Sequence, residues 1–421
     1  MAREQLFQLE FSGKPEHRQQ FAALPPVEQR RLKTLYNAAI PTGEVPAHTI
    51  RKDFANPTKA ELEAEAAAQS RFQTIQQGQS NRSSLMQLLQ DGKLAQTDTQ
   101  GKTLLANLDS LRTQTFARDG QHRLDGAQVY SEVLKQTAEP GNINQGARGT
   151  CTVTTMEHLQ ASREPAEYVR VMAGLTSAGG SVKLRNGETL TRDSGLVAPD
   201  DSGRTSASRV YQASMMEYAN GANDYRNDQG GHFTPDGKPI LDDRGKLTQG
   251  LPMHQLARVS SAVLGGDFEE RKGTMQGANA QSITADITKA IAEDRPVEVG
   301  MRWSRNPNDR DTYHALSVYK VEGDYVYLRN PWGAGEQGRK DASTGVVREA
   351  LRPEAGAQGG FFGGGFGGFT SHGPAVDPKL PVGEAGTLRM KKSDFFANLD
   401  SYVVQKPEAA PVIWWNPTTW F

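Results

Sequence analysis

Apolar positions in this chain follow a helical period for roughly the first 290 residues and a strand-like pattern afterwards. Leu104, Leu105, Leu108 and Leu111 fall at i, i+1, i+4 and i+7, and Leu85, Leu88 and Leu89 form a shorter stripe; both predict helices with one buried face. Lys59 to Gln77 has high helix propensity but almost no apolar face, which predicts a solvated helix. Further helices are expected over Asp125 to Thr137, Cys151 to about Ser162, and from Pro165 with the stripe Tyr168, Val171, Met172 and Leu175. Ser206 to Asn220 follows, with Tyr211, Ser214, Met215 and Tyr218 on one side, and then the stripe Ile283, Ile287, Ala290 and Ile291. Val182 to Leu190 predicts a hairpin, since Asn186-Gly187 suits the two positive φ angles of a type I′ turn. The Gly- and Asp-rich stretch 222–250 reads as loop with one irregular hairpin about Pro235-Asp236-Gly237.

Strands come last: Val297 to Trp303, His314 to Val321, Tyr325 to Asn330 and Thr387 to Met390. Helices followed by strands predict an α+β fold and not alternating βαβ units. Residues 1–120, rich in Gln, Ala and Glu, read as a helical arm or pro-like region, or as a permanent helix packed on the core through Leu104, Leu108 and Leu111, and 121–405 read as the core. Within the core, 334–386 is a Gly-rich insertion containing Gly359 to Phe369, and 406–421 is a tail with Trp414, Trp415 and Trp420.

Composition narrows the function classes. The 48 basic and 49 acidic residues leave a net charge of −1, so nothing attracts nucleic acid or an anionic membrane. No run has the length of a membrane span, and Met1 to Phe11 lacks the apolar stretch of a signal peptide. The expectation is a soluble protein, cytoplasmic or exported without such a signal, of undetermined oligomeric state. An apolar fraction of 36% with 43 glycines predicts a well-formed core in only part of the chain.

The candidate chemistry centres on Cys151, the single cysteine, which has no internal disulfide partner. It follows Gln145-Gly-Ala-Arg-Gly-Thr150 and opens a predicted helix, whose unpaired N–H groups favour a thiolate. The Gly146 to Gly149 loop can present the Cys151 N–H, and with the Gln145 side-chain amide this would form an oxyanion hole. His314 begins one strand and Asn330 ends the next, about Glu322-Gly323-Asp324. That hairpin brings the two within about two residues of opposition, where the Asn330 amide can accept the imidazole N–H and orient the ring.

Gln-x5-Cys at a helix start, a His opening a strand and Asn330-Pro-Trp-Gly333 together resemble the papain-like cysteine peptidases, and Asn-Pro-Trp resembles the calpain protease core in particular. The order of elements between them and the closing Leu388 to Phe396 are also similar, so the resemblance covers about residues 125–405. It implies a two-lobed fold, a helical lobe with Cys151 and a β-rich lobe with His314 and Asn330, and a thiol-dependent endopeptidase acting on protein or peptide. Trp332, and Trp303 with it, would wall the site or serve as core. The chain departs from that family at Thr152, where Trp is usual, and at Thr150, where calpains have Asp, which bears on substrate preference and activity. Calcium dependence would come with the family, but no residues match its calcium loops; no cofactor is required and no metal ligand is assigned. The same machinery serves acyl transferases, deamidases and cell-wall amidases, and a catalytically silent binding module stays open beside them.

Other candidates carry less. His158 lies two turns beyond Cys151 on one helix, ~10 Å away and too far to be its base, and reads as a polar helix-face residue. His232 and His254 lack partners at metal spacing. Gly363-x-Gly-x-x-Gly368 neither follows a strand nor opens a helix, as a dinucleotide fingerprint must. Asp224 and Asp228 lack the closing Glu of a calcium loop and read as solvated loop. Asn81-Arg-Ser83 is a glycosylation sequon in form only.

Overall fold

Local signals in the sequence explain where most helices begin. The computed structural model describes residues 14–39, 59–242, 245–303, 313–333, 348–350, 352–353, 382–383 and 386–407. The Gly359 to Phe369 run, with the Gly363 to Gly368 pattern in it, and Trp414, Trp415 and Trp420 lie outside these residues. The helices are α1 (Pro15–Ala23), α2 (Pro26–Ala38), α3 (Lys59–Gln90), α4 (Leu104–Thr113), α5 (Gly126–Ala138), α6 (Cys151–Arg163) and α7 (Pro165–Thr176), then α8 (Ser206–Asn220), α9 (Met253–Leu264), α10 (Ala280–Ala292) and α11 (Lys392–Asn398). Prolines open α1, α2 and α7. Side-chain oxygens of Thr103, Asp125, Thr205 and Asn279 accept first-turn N–H groups of α4, α5, α8 and α10, satisfying donors that a helix start leaves unpaired.

The main sheet comprises β1 (Phe268–Lys272), β2 (Val297–Arg302), β3 (Tyr313–Glu322), β4 (Tyr325–Arg329), β5 (Arg348–Ala350), β6 (Thr387–Lys391) and β7 (Leu399–Gln405). Their order across the sheet is β5-β6-β4-β3-β2-β7-β1, and each neighbouring pair is antiparallel. The fold is mixed α+β. On one face Val299, Met301, Leu316, Val318 and Val404 join Ile283 and Ile287 of α10 and Phe395 of α11 in one apolar cluster. On the other face Ala315 and Val403 join the larger cluster built from the earlier helices. Gly300 lets α9 approach this face, since a Cβ there would lie 2.9 Å from Met253 Cγ.

That larger cluster includes the N-terminal helices. Leu35 of α2, Leu88 of α3 and Leu104, Leu108 and Leu111 of α4 are at most 1% exposed and share the cluster with Val153 and Met156 of α6. Apolar packing therefore continues across residue 120, with α4 against α7 and α3 against α5. Lys59, Leu62, Glu63, Ser70 and Thr74 of α3 are exposed, as the missing apolar face predicts.

Two local expectations need correction. Asn186 does not adopt positive φ; only Gly187 does, at 84°, and Gly187 N–H donates to Leu184 O while Leu184 N–H donates to Glu188 O. The turn is thus the three-residue type with glycine at a bulge, which needs one left-handed residue and not two. The sequence pattern does not predict helix α9 or strands β1 and β7. The stripe of α9 includes Ser260, β1 buries one residue firmly, and β7 buries Ser401 through Val404 without alternation.

Glu298 of β2 is fully buried on the α9 side. Its Oε2 accepts the Ser260 hydroxyl at 2.8 Å, its Oε1 has no partner, and burial pushes its pKa up to about 8 from the usual 4.5. The folded protein thus holds a proton that the unfolded chain has released, so stability falls as pH rises from 4.5 through about 8. Glu298→Gln, which keeps the shape and stays neutral, should leave the melting temperature unchanged at pH 5 and raise it at pH 9. Because the N-terminal leucines are core, each worth ~2–5 kcal/mol against Ala, deleting residues 1–100 should give an insoluble or molten product. A cooperative melt of the truncated chain would count against this.

Candidate active site

Cys151 is the first residue of α6, and the loop before it is held from three sides. Gly146 has φ 55°, and a Cβ there would sit 2.1 Å from Ser202 O, so the tight turn requires glycine. Ala147 N–H donates to that same carbonyl at 2.8 Å. Gly149 packs on Gln249, with only 2.6 Å from a built Cβ to Gln249 Cβ. Arg148 anchors to Asn227 O at 3.0 Å and Asp201 at 2.6 Å.

Behind the loop lies a buried polar network that sequence inspection missed. Gln212 of α8 donates to Asn144 O at 3.0 Å and to Glu157 at 2.8 Å, while its carbonyl accepts from Thr150 Oγ1 at 2.8 Å. Glu157 of α6 also accepts the Ser208 and Tyr168 hydroxyls, and burial pushes its carboxyl up to about 7. Arg204 pairs with Asp200 at 2.7 Å; despite burial, the hydroxyl, amide and guanidinium around Asp200 hold its carboxyl well below the usual range. The sequence signal for it is slight: Ser208 and Gln212 are four residues apart on α8, and Glu157 lies on α6.

His314 and Asn330 come together as the hairpin predicts. His314 Nε2–H donates to Asn330 Oδ1 at 2.8 Å, and both residues are buried. Trp332 N–H, an obligate donor, reaches the same oxygen at 3.0 Å, which fixes the amide orientation and therefore the imidazole tautomer. Trp303 and Trp332 flank the ring, with centroids 4.8 and 4.5 Å from that of His314. Trp303 is buried while Trp332 is 37% exposed, so Trp332 forms the solvent-facing wall.

The turn itself selects this pairing. Gly323, with φ 53°, is the first central residue of a two-residue turn, and β3 and β4 begin in the register Glu322↔Tyr325. A bulge at Tyr319 then shifts the pairing to Val318↔Leu328 and Ser317↔Arg329. Continued by one residue, Asn330 falls opposite Leu316 and shares a strand face with His314. Without the bulge it would oppose Ser317 and face away.

Cys151 is partly exposed. Burial of its sulfur pushes the thiol up, opposed by the backbone N–H groups of Ala315, Thr152 and Cys151 itself. Helix α6, which Cys151 opens, packs against β3, the strand that carries the imidazole. Gln145, the expected oxyanion donor, is buried and gives its side-chain N–H to Arg148 O at 2.7 Å, while its Oε1 has no partner. One N–H of that amide is therefore committed to the loop.

His158, expected on a polar helix face, is instead buried against the sheet beside a cavity of about 250 Å³ shared with Ser317 and Arg329. A larger cavity of about 600 Å³ lies between α2, α3 and α5, away from Cys151 and His314. His232 is buried, donates its Nε2–H to Gly250 O at 3.2 Å and packs on Tyr225, a structural role. Asp224 stands with Asp193 and Glu217, whose oxygens lie within 4.8 Å of one another and could hold a cation. Asp224 also pairs with Arg226, and Glu217 accepts the Tyr225 N–H, so these acids have protein partners. Among the described residues no helix is long and apolar enough to cross a membrane. No protein-family model and no curated protein matches this sequence.

With burial raising the thiol, an imidazolium is the group able to sustain a thiolate at neutral pH. Iodoacetamide labelling of the native protein should therefore show a reactive fraction near pH 6 that disappears in His314→Ala, with the remaining inflection at or above the ordinary thiol range. Identical profiles would mean that the two groups are uncoupled.

Proposed function

We propose that this protein is a thiol hydrolase of the papain-like kind, most similar in its motifs to the calpain core, and that it cleaves peptide bonds as an endopeptidase. The observation that carries the reading is the His314–Asn330 hydrogen bond, formed from the strand against which the Cys151 helix packs. Further support comes from Cys151 opening a 13-residue helix while the His–Asn pair lies on the sheet.

With Nε2–H committed to Asn330, the thiol proton passes to His314 Nδ1. The thiolate sulfur attacks the peptide carbonyl carbon, and the carbonyl electron pair moves to oxygen. The Cys151 N–H, at a helix start, and the second Gln145 amide N–H are the donors for that oxyanion. As the intermediate collapses, the C–N bond breaks and the imidazolium gives its proton to the leaving amine. Water, deprotonated by His314, then attacks the thioester and regenerates the thiol. Trp332 shields the His–Asn bond from bulk water and strengthens it.

A catalytically silent binding module is the second reading. It draws on the Gln145 amide turned to Arg148 O and on the thiol raised by burial. A cysteine-directed activity probe separates the two, and mass spectrometry of products separates hydrolysis from acyl transfer or deamidation.

Cys151→Ala and His314→Ala should each abolish cleavage of a protein substrate with little change in melting temperature, and Asn330→Ala should reduce it less. Gln145→Ala should lower kcat ~100- to 1,000-fold at similar KM, the usual cost of one oxyanion donor. Wild-type turnover in the Cys151→Ala protein would overturn the reading.

A further inference from the structure

Arg329 closes β4 immediately before Asn330, and the residue is 3% exposed. One side of the fork faces the loop that leads to the cysteine: Nη2 donates to Gly141 O at 2.7 Å and to Ile143 O at 3.0 Å. The other side faces the sheet, where Nη1 donates to Asn330 O and to Gly386 O, the latter at 3.4 Å. All four acceptors are backbone carbonyls, so the contact fixes main-chain positions on both sides. Neighbouring contacts follow the same seam. Gln145 N–H donates to Pro331 O at 2.8 Å, and a Cβ on Gly333 would lie 3.0 Å from Asn144 Cβ. At Gly386 a Cβ would meet Nη1 at 2.4 Å, so glycine there makes room for the guanidinium.

We infer that Arg329 is a positioning residue, holding the Gln145–Cys151 loop in register with the His314–Asn330 pair. The inference rests on the thiol-hydrolase reading for its catalytic consequence, but the clamp itself is a property of the fold. A planar fork is needed because two carbonyls lie on each side; a lysine ammonium is a point charge without that directionality. A displacement of about 1 Å in a reacting group costs on the order of 100-fold in rate.

The test compares wild type with Arg329→Lys, Arg329→Gln and Arg329→Ala, using hydrogen exchange, peptide cleavage and cysteine labelling. In Arg329→Gln, amides of residues 142–150 should exchange at least ~10-fold faster while those of α4 and α7 are unchanged, and kcat should fall ~100-fold at similar KM. Arg329→Lys should be intermediate, and millimolar methylguanidinium should restore part of the loss in Arg329→Ala. Wild-type exchange and kcat in Arg329→Gln would overturn the inference. So would faster exchange everywhere with no rescue, which marks a purely structural residue. If wild type cleaves no peptide and takes no activity probe, the hydrolase reading fails by itself, and exchange over 142–150 still decides the clamp.

Discussion

A single extra residue in β3 decides whether this site can exist. Strand side chains alternate between faces, so the pairing offset between β3 and β4 determines whether His314 and Asn330 point the same way. The bulge at Tyr319 changes that offset by one and brings both onto one face, where Nε2 and Oδ1 meet at 2.8 Å. The two tryptophans then close around the pair, and the Asn330 loop becomes the seam on which the cysteine loop rests. The His314–Asn330 contact depends on that offset.

The helical body meets the seam with an unusually polar interior. Glu157, Gln212, Ser208, Tyr168 and Thr150 form one connected set of buried hydrogen bonds between α6, α7, α8 and the loop before Cys151. An apolar core of the same volume would be at least as stable, because burying polar groups costs desolvation even when they are paired. Hydrogen bonds, however, have direction where apolar contacts do not. The network fixes where Asn144 O and Thr150 sit, and hence where α6 begins, while Gly146 and Gly149 let the backbone pass too close to Ser202 and Gln249 for any side chain. Burial favours a neutral carboxyl at Glu157, and the Gln212, Ser208 and Tyr168 donors around it oppose that shift.

The N-terminal helices show how far composition can mislead. A Gln- and Ala-rich segment with a solvated helix reads as an accessory arm, and the exposed Leu62, Glu63, Ser70 and Thr74 in the first half of α3 fit that description. Its second half does not: Leu85, Leu88 and Leu89 are buried in the same cluster as the helix carrying the cysteine. One helix thus carries exposed residues such as Leu62 and Ser70 and ends as core, and an average over the segment conceals the change.

The sequence by itself determined the helix starts, through Pro at α1, α2 and α7 and through the side-chain caps of α4, α5, α8 and α10, because those signals act within four residues. It also determined the helical stripes, the four strands read from it and the cross-strand nearness of His314 and Asn330, since a hairpin is local. Tertiary structure decided the rest. The strand face of Asn330 depends on a bulge with no residue signature, and β7 shows no alternation because both its faces are covered. The buried network joins residues up to 68 positions apart, and Arg329 reaches back 188 residues to Gly141. Such contacts follow from where elements pack and not from any periodicity along the chain, so only the assembled fold could fix them.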